Sequence, residues 1–473
     1  MPPLIATAIL AAGVIGLFVL DRDETSRATK ALWIPLIWLV IVGSRPVSAW
    51  LRLGQPMDST DFYMGEGSPL DRDVFMALLA AGTVVLIARM RAVGTILRTN
   101  VPVVLFFAYC LLSVLWSDFP DIAIKRWTKA IGDLVMALVV VTDPDPVAAL
   151  KRFFSRAGFL LLPASILFIR YFGQLGRGYD PDGLPMNTGV TSNKNTLGVI
   201  TFVVSLGALW QIVTLLDAGS QPNRGRRLLA QGTLLVFGVA LLAMAHSATS
   251  AACFAMGAVL ILVTNFPIIK RRPGAVHGLV VAIVLAAGFS MLSGDVASVT
   301  QAVGRQTNLT GRTDIWAAVL RVAPDPVVGT GFESFWLGPR VESVWRQLSQ
   351  FMHVNEAHNG YIEVYLNLGW VGVCLIVLIL VSGYRRAVAA FRCDPAIGSL
   401  MLAYVVAAAM YSITEAGFRL LNPIWIFLLL ATTLVPEVPV PENPPSLGIA
   451  HNDDIEWALQ GEGASSARPP WGL

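Results

Sequence analysis

Apolar runs long enough to cross a lipid bilayer recur along this chain from one end to the other. A span needs about 20 mostly apolar residues to cross a hydrocarbon core of about 30 Å. Candidate spans begin near residues 4, 31, 74, 101, 130, 157, 196, 228, 250, 277, 360, 397 and 419. The second has Arg45 close behind it, and the fifth is short unless Trp127 and Lys129 lie at the membrane interface. The first, Leu4 to Leu20, has no basic stretch before it and charged residues directly after it, so it reads as a retained span and not a cleaved signal. The pattern predicts an all-α, polytopic integral membrane helix bundle of about 12–13 transmembrane helices.

If the connecting loops alternate sides, the loops 21–30, 89–100, 142–156, 217–227, 268–276 and 383–396 form one set, with 18 Lys or Arg in 71 residues. The opposite set holds 14 in 142. The positive-inside bias therefore assigns the first set to the cytoplasm. The longest hydrophilic segment, 294–359, then falls on the extracytoplasmic side. The chain is read as a membrane domain over 1–435, including that large periplasmic loop, followed by a disordered cytoplasmic tail over 436–473. The tail has seven prolines in 38 residues and too little apolar surface to fold.

Composition agrees with a lipid solvent: 55% of the 473 residues are hydrophobic and 14% charged, against roughly 25% charged in an ordinary soluble domain. The net charge of +3 is spread over many short loops, which excludes a nucleic-acid footprint. Cys110, Cys253 and Cys374 lie in apolar stretches and Cys393 in a basic loop, so neither a structural disulfide nor a metal site is expected.

The polar chemistry gathers on the expected outer face. Within loop 294–359, GRTDIWAAVLRVA can form an amphipathic helix with Ile315, Trp316, Val319 and Leu320 on one stripe, lying on the membrane surface or over the bundle. The following PDPVVGTGFESFW has Gly329 and Gly331 but no lysine, strand or third glycine of a nucleotide loop, so it reads as a turn. The eleventh run opens with His358, Asn359, Tyr361 and Glu363. Polar residues entering hydrocarbon usually face the bundle interior or a wet cavity. The bland alternative is a histidine cap, with Glu363 paired to a nearby arginine.

At the start of the seventh run, Lys194 stands between Asn193 and Asn195. A single lysine there is more often a snorkelling interfacial residue. Convergence favours a shared site, because Lys194, Arg312 and His358 all belong to outer-face segments and together suit an anionic head group. His246, Ser247, Thr249, Ser250, Glu415 and Arg419 are further candidates to line the same cavity, and which of Glu333, Glu356 and Glu363 lies nearby stays undecided. Lys125, Arg126 and Lys129, with Trp127, read as an interfacial helix contacting anionic lipid.

His358, Asn359, nine residues, Gly369, two residues and Gly372 together resemble the signature of the O-antigen ligase and polymerase superfamily. SNKNTLG, GRTDIW, PDPVVGTGFESF and WSDFPDIAIKR stand in the expected order and look most like its ExoQ-like exopolysaccharide branch. The resemblance covers roughly residues 100–435. It implies a metal-independent, inverting glycosyltransferase of the membrane-embedded GT-C type, without cofactor, in the bacterial inner membrane. Its site would face the periplasm and take an undecaprenyl-diphosphate-linked glycan. Lys194 and Arg312 would bind the diphosphate, and His358 would serve the acceptor hydroxyl. Asn193, Asn195, Asn359, Tyr361 and Glu363 would support them.

The chemistry is coherent, because a diphosphate is a good leaving group, cations stabilise the charge it develops, and histidine is suited to take a hydroxyl proton. A polymerase extending an exopolysaccharide or O-antigen is the first reading, and a ligase acting on lipid A core or protein is the second. A lipid-linked sugar transporter is a third, though internal repeats of that class are not visible. Whether a chain-length regulator binds is left open.

Overall fold

The computed structural model describes residues 2–23, 27–51, 68–179, 183–217, 219, 223–292, 309–348 and 354–434. The proposed tail lies outside them. The described chain is helical almost throughout. Helices α1 (Pro3–Leu20), α2 (Trp33–Val42), α3 (Pro69–Ala88), α4 (Met90–Thr99), α5 (Val101–Leu112), α6 (Pro120–Val141) and α7 (Pro146–Tyr171) form its first half. A small antiparallel hairpin follows, β1 (Arg177–Tyr179) and β2 (Pro185–Asn187). Then come α8 (Lys194–Asp217), α9 (Arg224–Ala245), α10 (Ala248–Thr264) and α11 (Ala275–Leu292). Two shorter helices, α12 (Leu309–Arg321) and α13 (Gly338–Trp345), precede α14 (Gly360–Cys393), α15 (Pro395–Thr414) and α16 (Pro423–Thr433).

Every expected apolar run contains a helix, and the protein is a multi-pass, all-α membrane protein. Not every run is a full span by length. Among the described residues, six helices (α1, α7, α8, α9, α14 and α15) are long and apolar enough to cross a membrane; α3 and α4, bent by 95° at their junction, make a seventh if taken as one span. Others, such as α5, α10 and α16, are apolar but shorter. The fifth run differs most. Its helix α6 begins ten residues earlier, at Pro120, so the turn with Lys125, Arg126 and Lys129 is part of the helix. Trp127 is bound inside the protein, its Nε1 donating to the Phe107 carbonyl at 2.9 Å.

The core sits around α8, α15 and α16, whose side chains are buried on nearly all sides. A helix apolar all round belongs inside a bundle. Phe154 and Phe427 stack at 5.4 Å, and Trp210 and Tyr404 each place their polar atom on a backbone carbonyl, of Ala396 and Val203. Packing of this kind meets the hydrogen-bonding needs of buried aromatics.

A second, smaller core caps α14. Ile315, Ala318 and Val319 of α12 pack with Phe335, Trp336, Val341 and Val344 against Leu366. Helix α12 therefore lies over the bundle, as one of its two expected placements had it. Its buried stripe differs from the expected one, because Leu320 is exposed and Ala318 takes its place.

The turn before α13 has a structural reason to be rich in glycine. Helix α14 is broken at Gly369, whose φ of 62° and ψ of −164° are non-helical. The turn inserts beside the break: Thr330 N donates to Leu366 O at 3.1 Å, Trp370 N to Pro326 O at 2.9 Å and Val371 N to Val327 O at 3.2 Å. Irregular backbone deep in a membrane protein is tolerated only where protein satisfies it. A Cβ on Gly369 would collide with the Val327 backbone, and one on Gly329 with Asn367 and Leu368. Both glycines are demanded by this contact.

Candidate active site

The end of α14 where His358 stands is built by capping. Asn359 is the N-cap, its Oδ1 accepting from Tyr361 N at 3.0 Å and Ile362 N at 3.1 Å, as a helix start requires. The cap is Asn359 and not His358. Buried Glu363 reaches back to accept from Trp336 Nε1 at 2.9 Å and from Ala357 N. It therefore fastens the turn before His358 to the small outer core; its hydrogen bonds come from Trp336 and the Ala357 amide, while Arg419, the nearby arginine of the bland alternative, meets it through charge alone. Tyr361 donates to the Ala409 carbonyl at 3.1 Å, tying α14 to α15.

That fastening turns His358 toward two carboxylates. Its Nδ1 lies 2.9 Å from Glu356 Oε1 and 3.4 Å from Glu415 Oε2. Glu415 also accepts from Arg312 Nη2 at 2.7 Å and Asn195 Nδ2 at 3.1 Å. Arg419 approaches Glu356 and Glu333 at 3.5 Å each. Arg126 donates to the Glu333 backbone carbonyl. Three carboxylates thus face two arginines and a histidine drawn from four segments of the chain.

Three residues here hold a left-handed backbone without being glycine: Glu333 (φ 52°), His358 (φ 48°) and Leu421 (φ 54°). Such conformations cost of order 1–3 kcal/mol each and cluster where a site dictates side-chain direction. Leu421 is held by its amide, which donates to buried Asp133 at 2.9 Å.

The cluster stands beside a cavity of about 380 Å³ lined by Ser44, Phe75, Asn193, Asn195, Glu356 and Arg419, among others. Asn193 caps the start of α8, accepting from Thr196 N at 2.7 Å, so the positive end of that helix also points here. Lys194, between the two asparagines, is half-buried at the same helix start but is not among the described lining residues. His246 ends α9 as an exposed residue, and Thr249 pairs with Thr414; neither joins the cluster.

The electrostatics follow from the pairing. Burial opposes charge on His358, but the charge and hydrogen bond of Glu356, with Glu415 behind, outweigh it and raise its pKa from 6.5 to about 10. For Glu356, burial pushes upward, and His358, Arg419 and Arg312 pull it down to about 2. Burial disfavours the Arg419 cation, yet Glu333, Glu363 and Glu356 raise its pKa further. Nδ1 is engaged by carboxylates, so Nε2, which has no partner among the described residues, is the nitrogen available to a substrate.

Glu356, His358 and Glu415 offer ligand atoms within 4.8 Å of one another, a spacing a metal ion could use. A divalent ion there would compete with Arg312 and Arg419 for the same oxygens, so the donor set suits cationic side chains better.

Glu415 and Arg419, candidates for the cavity, do line it, Glu356 is the one of the three undecided glutamates that lines it as well, and Arg126 is the residue the motifs did not single out for the site. A buried acidic or basic residue next to a helix end was the available signal. Arg126 was hidden by its interfacial neighbours and, unlike the lipid contact expected of that turn, reaches inward to the Glu333 carbonyl.

Residues 233–377 match the family model described as O-Antigen ligase. Arg312, His358, Gly369 and Gly372 fall inside the match, and Lys194, Glu415 and Arg419 outside it. The chain is also 25% identical over 289 residues to the exopolysaccharide production protein ExoQ of Rhizobium meliloti (strain 1021). That alignment covers 59% of this chain and 63% of the relative, so the chain spans less than two thirds of the relative's length. The fold is that of a multi-pass membrane protein, and the chain is similar over residues 233–377 to the O-antigen ligase family and over a longer stretch to ExoQ, in agreement with the resemblance carried by its motifs.

Proposed function

We propose that this protein is a metal-independent, inverting glycan polymerase of the bacterial inner membrane. It transfers an undecaprenyl-diphosphate-linked chain to a second lipid-linked repeat unit at the periplasmic face, extending an exopolysaccharide or O-antigen. The observation that carries this reading is the set of Arg312, Arg419 and His358 gathered around carboxylates beside a cavity at one end of an apolar bundle.

Arg312, Arg419 and His358 are each paired with a carboxylate. A diphosphate replaces Glu415 on Arg312, assisted by Lys194 at the α8 N-terminus. An acceptor hydroxyl oxygen attacks the anomeric carbon, the bond from that carbon to the diphosphate oxygen breaks, and the electron pair leaves with the diphosphate. Arg312 stabilises that charge. The hydroxyl proton passes to Nε2 of neutral His358, and Glu356 and Glu415 hold the resulting imidazolium through Nδ1, the role a carboxylate plays behind a catalytic histidine. Turnover therefore rises with pH toward about 10, where His358 becomes neutral. ExoQ, named for exopolysaccharide production, favours the polymerase over the ligase.

The test is a product-ladder gel from protein purified in lipid and supplied with undecaprenyl-diphosphate-linked repeat units, with and without EDTA. A ladder insensitive to EDTA and abolished by Arg312→Ala supports the reading. Transfer only to lipid A core would replace polymerase by ligase. A ladder lost in EDTA and restored by a divalent ion would make Glu356, His358 and Glu415 metal ligands.

A further inference from the structure

A second groove adjoins the site cavity, and Phe75 of α3 lines both. Beyond Phe75, Trp38, Met76 and Leu79 form apolar walls, while Arg72, Lys125 and Lys129 stand around a volume of about 350 Å³. The walls are fixed. Trp38 donates through Nε1 to Asp133 at 2.9 Å and meets Phe75 edge-on at 4.7 Å. Asp71, the buried carboxylate of the same helix start, is turned away to the amide and hydroxyl of Ser48, and Asp73 pairs with Arg72. Around the groove three basic side chains stand against two acids, Asp71, whose charge acts on Lys129, and Asp73, paired with Arg72. Exposed Met76 leaves its side open at the apolar surface of the bundle.

A phosphorylated lipid is the ligand that combines what this groove offers. Cations meet a multiply charged head, and apolar walls meet a chain lying alongside the helices. A polymerase joins two molecules on the same carrier, so it must hold two diphosphate heads at once; a ligase acting on lipid A core or protein need hold only one diphosphate. We infer that this groove seats the diphosphate and first isoprene units of the second lipid-linked glycan, next to the donor in the cavity lined by Glu356, Glu415 and Arg419. The inference rests on the polymerase reading. Phe75 then separates the two lipids while their glycans meet above it.

The experiment is equilibrium binding of undecaprenyl diphosphate, without glycan, to the full chain in lipid nanodiscs, read by native mass spectrometry. Wild type is expected to bind two molecules. Arg72→Gln, Lys125→Gln and Lys129→Gln combined should leave one, each removed cation weakening that site about tenfold or more. Arg312→Ala should weaken the other. The charge-retaining K125R and K129R forms should keep both, which separates loss of the head-group contact from loss of the fold. One bound molecule in wild type, unchanged in the triple variant, would overturn the second site while leaving the transferase reading in place. No bound molecule would overturn both. Equal displacement by phosphatidylglycerol would make the groove a general anionic-lipid site and overturn its assignment to substrate.

Discussion

Two networks of acids and arginines stand at opposite ends of the bundle, and they are built differently. At the end of α6 away from the cavity, Asp143 is fully buried and accepts from the Thr29 amide at 3.2 Å, the Thr29 hydroxyl and Arg89 Nη2 at 3.2 Å. Arg89 completes its fork on the Val139 carbonyl at 3.0 Å. The network is closed, one acid serving one arginine between helix ends. Arg89 also borders a hollow, of about 930 Å³, but around His358 Glu356 and Glu415 are each shared by several partners and the backbone bends left-handed at non-glycine residues beside the cavity. Closed pairing fixes a fold. Shared pairing beside a cavity leaves charges that an incoming diphosphate can exchange.

The comparison predicts a graded separation of activity from stability. His358→Ala, which removes the proton acceptor, should lower turnover by about 10²–10⁴-fold while the protein stays folded; a ladder of wild-type intensity would remove His358 from the chemistry. Arg312→Ala should lower turnover by about 10²–10³-fold, the loss expected for one donor to a developing negative charge. Glu356→Gln should cost less at neutral pH. It should also move the rise of the pH profile down from about 10 toward 6.5, because the carboxylate that holds the proton on His358 is gone.

Asp143→Ala should do the reverse. Removing one partner of a buried pair destabilises by about 3–5 kcal/mol, seen as a lower melting temperature, with turnover per folded molecule unchanged. If Asp143→Ala abolished transfer in still-folded protein, the two ends would not differ as argued.

The smallest effect concerns stability and pH. His358 has a raised folded pKa, so its contribution is complete below 6.5 and is lost as pH rises through about 10. Glu356 is depressed, so its contribution is complete above 4.5 and is lost as pH falls through about 2. Wild type should therefore lose more thermal stability than His358→Gln between neutral pH and pH 10. Parallel curves would place both groups outside the stabilising network.

The bundle was legible from apolar periodicity because lipid leaves few alternatives to helices. His358 and Arg312 were legible because polar groups at helix starts are costly in a membrane. Which carboxylates they pair with was not. Arg312 and Glu415 are 103 residues apart, and no local pattern records a pairing across that distance. The break at Gly369 was hidden for a related reason: glycine is common in membrane helices, and only the turn that fills the gap, some forty residues earlier, shows that the helix is open there. Lys194 and Arg312 read as equals, and in the fold the cavity is lined by their neighbours and partners, Asn193, Asn195 and Glu415. A span count from composition also overlooks how much of α6 is charged and still helical.

The central claim is that Glu356 and Glu415 hold His358 as the residue serving the acceptor hydroxyl. The most direct measurement is kcat/KM for chain extension against pH, for wild type and Glu356→Gln side by side. The wild-type rate should rise by roughly tenfold per pH unit toward a plateau near 10, and the variant should reach its plateau at lower pH. A rate that falls above neutral pH, or one profile shared by both proteins, would contradict it.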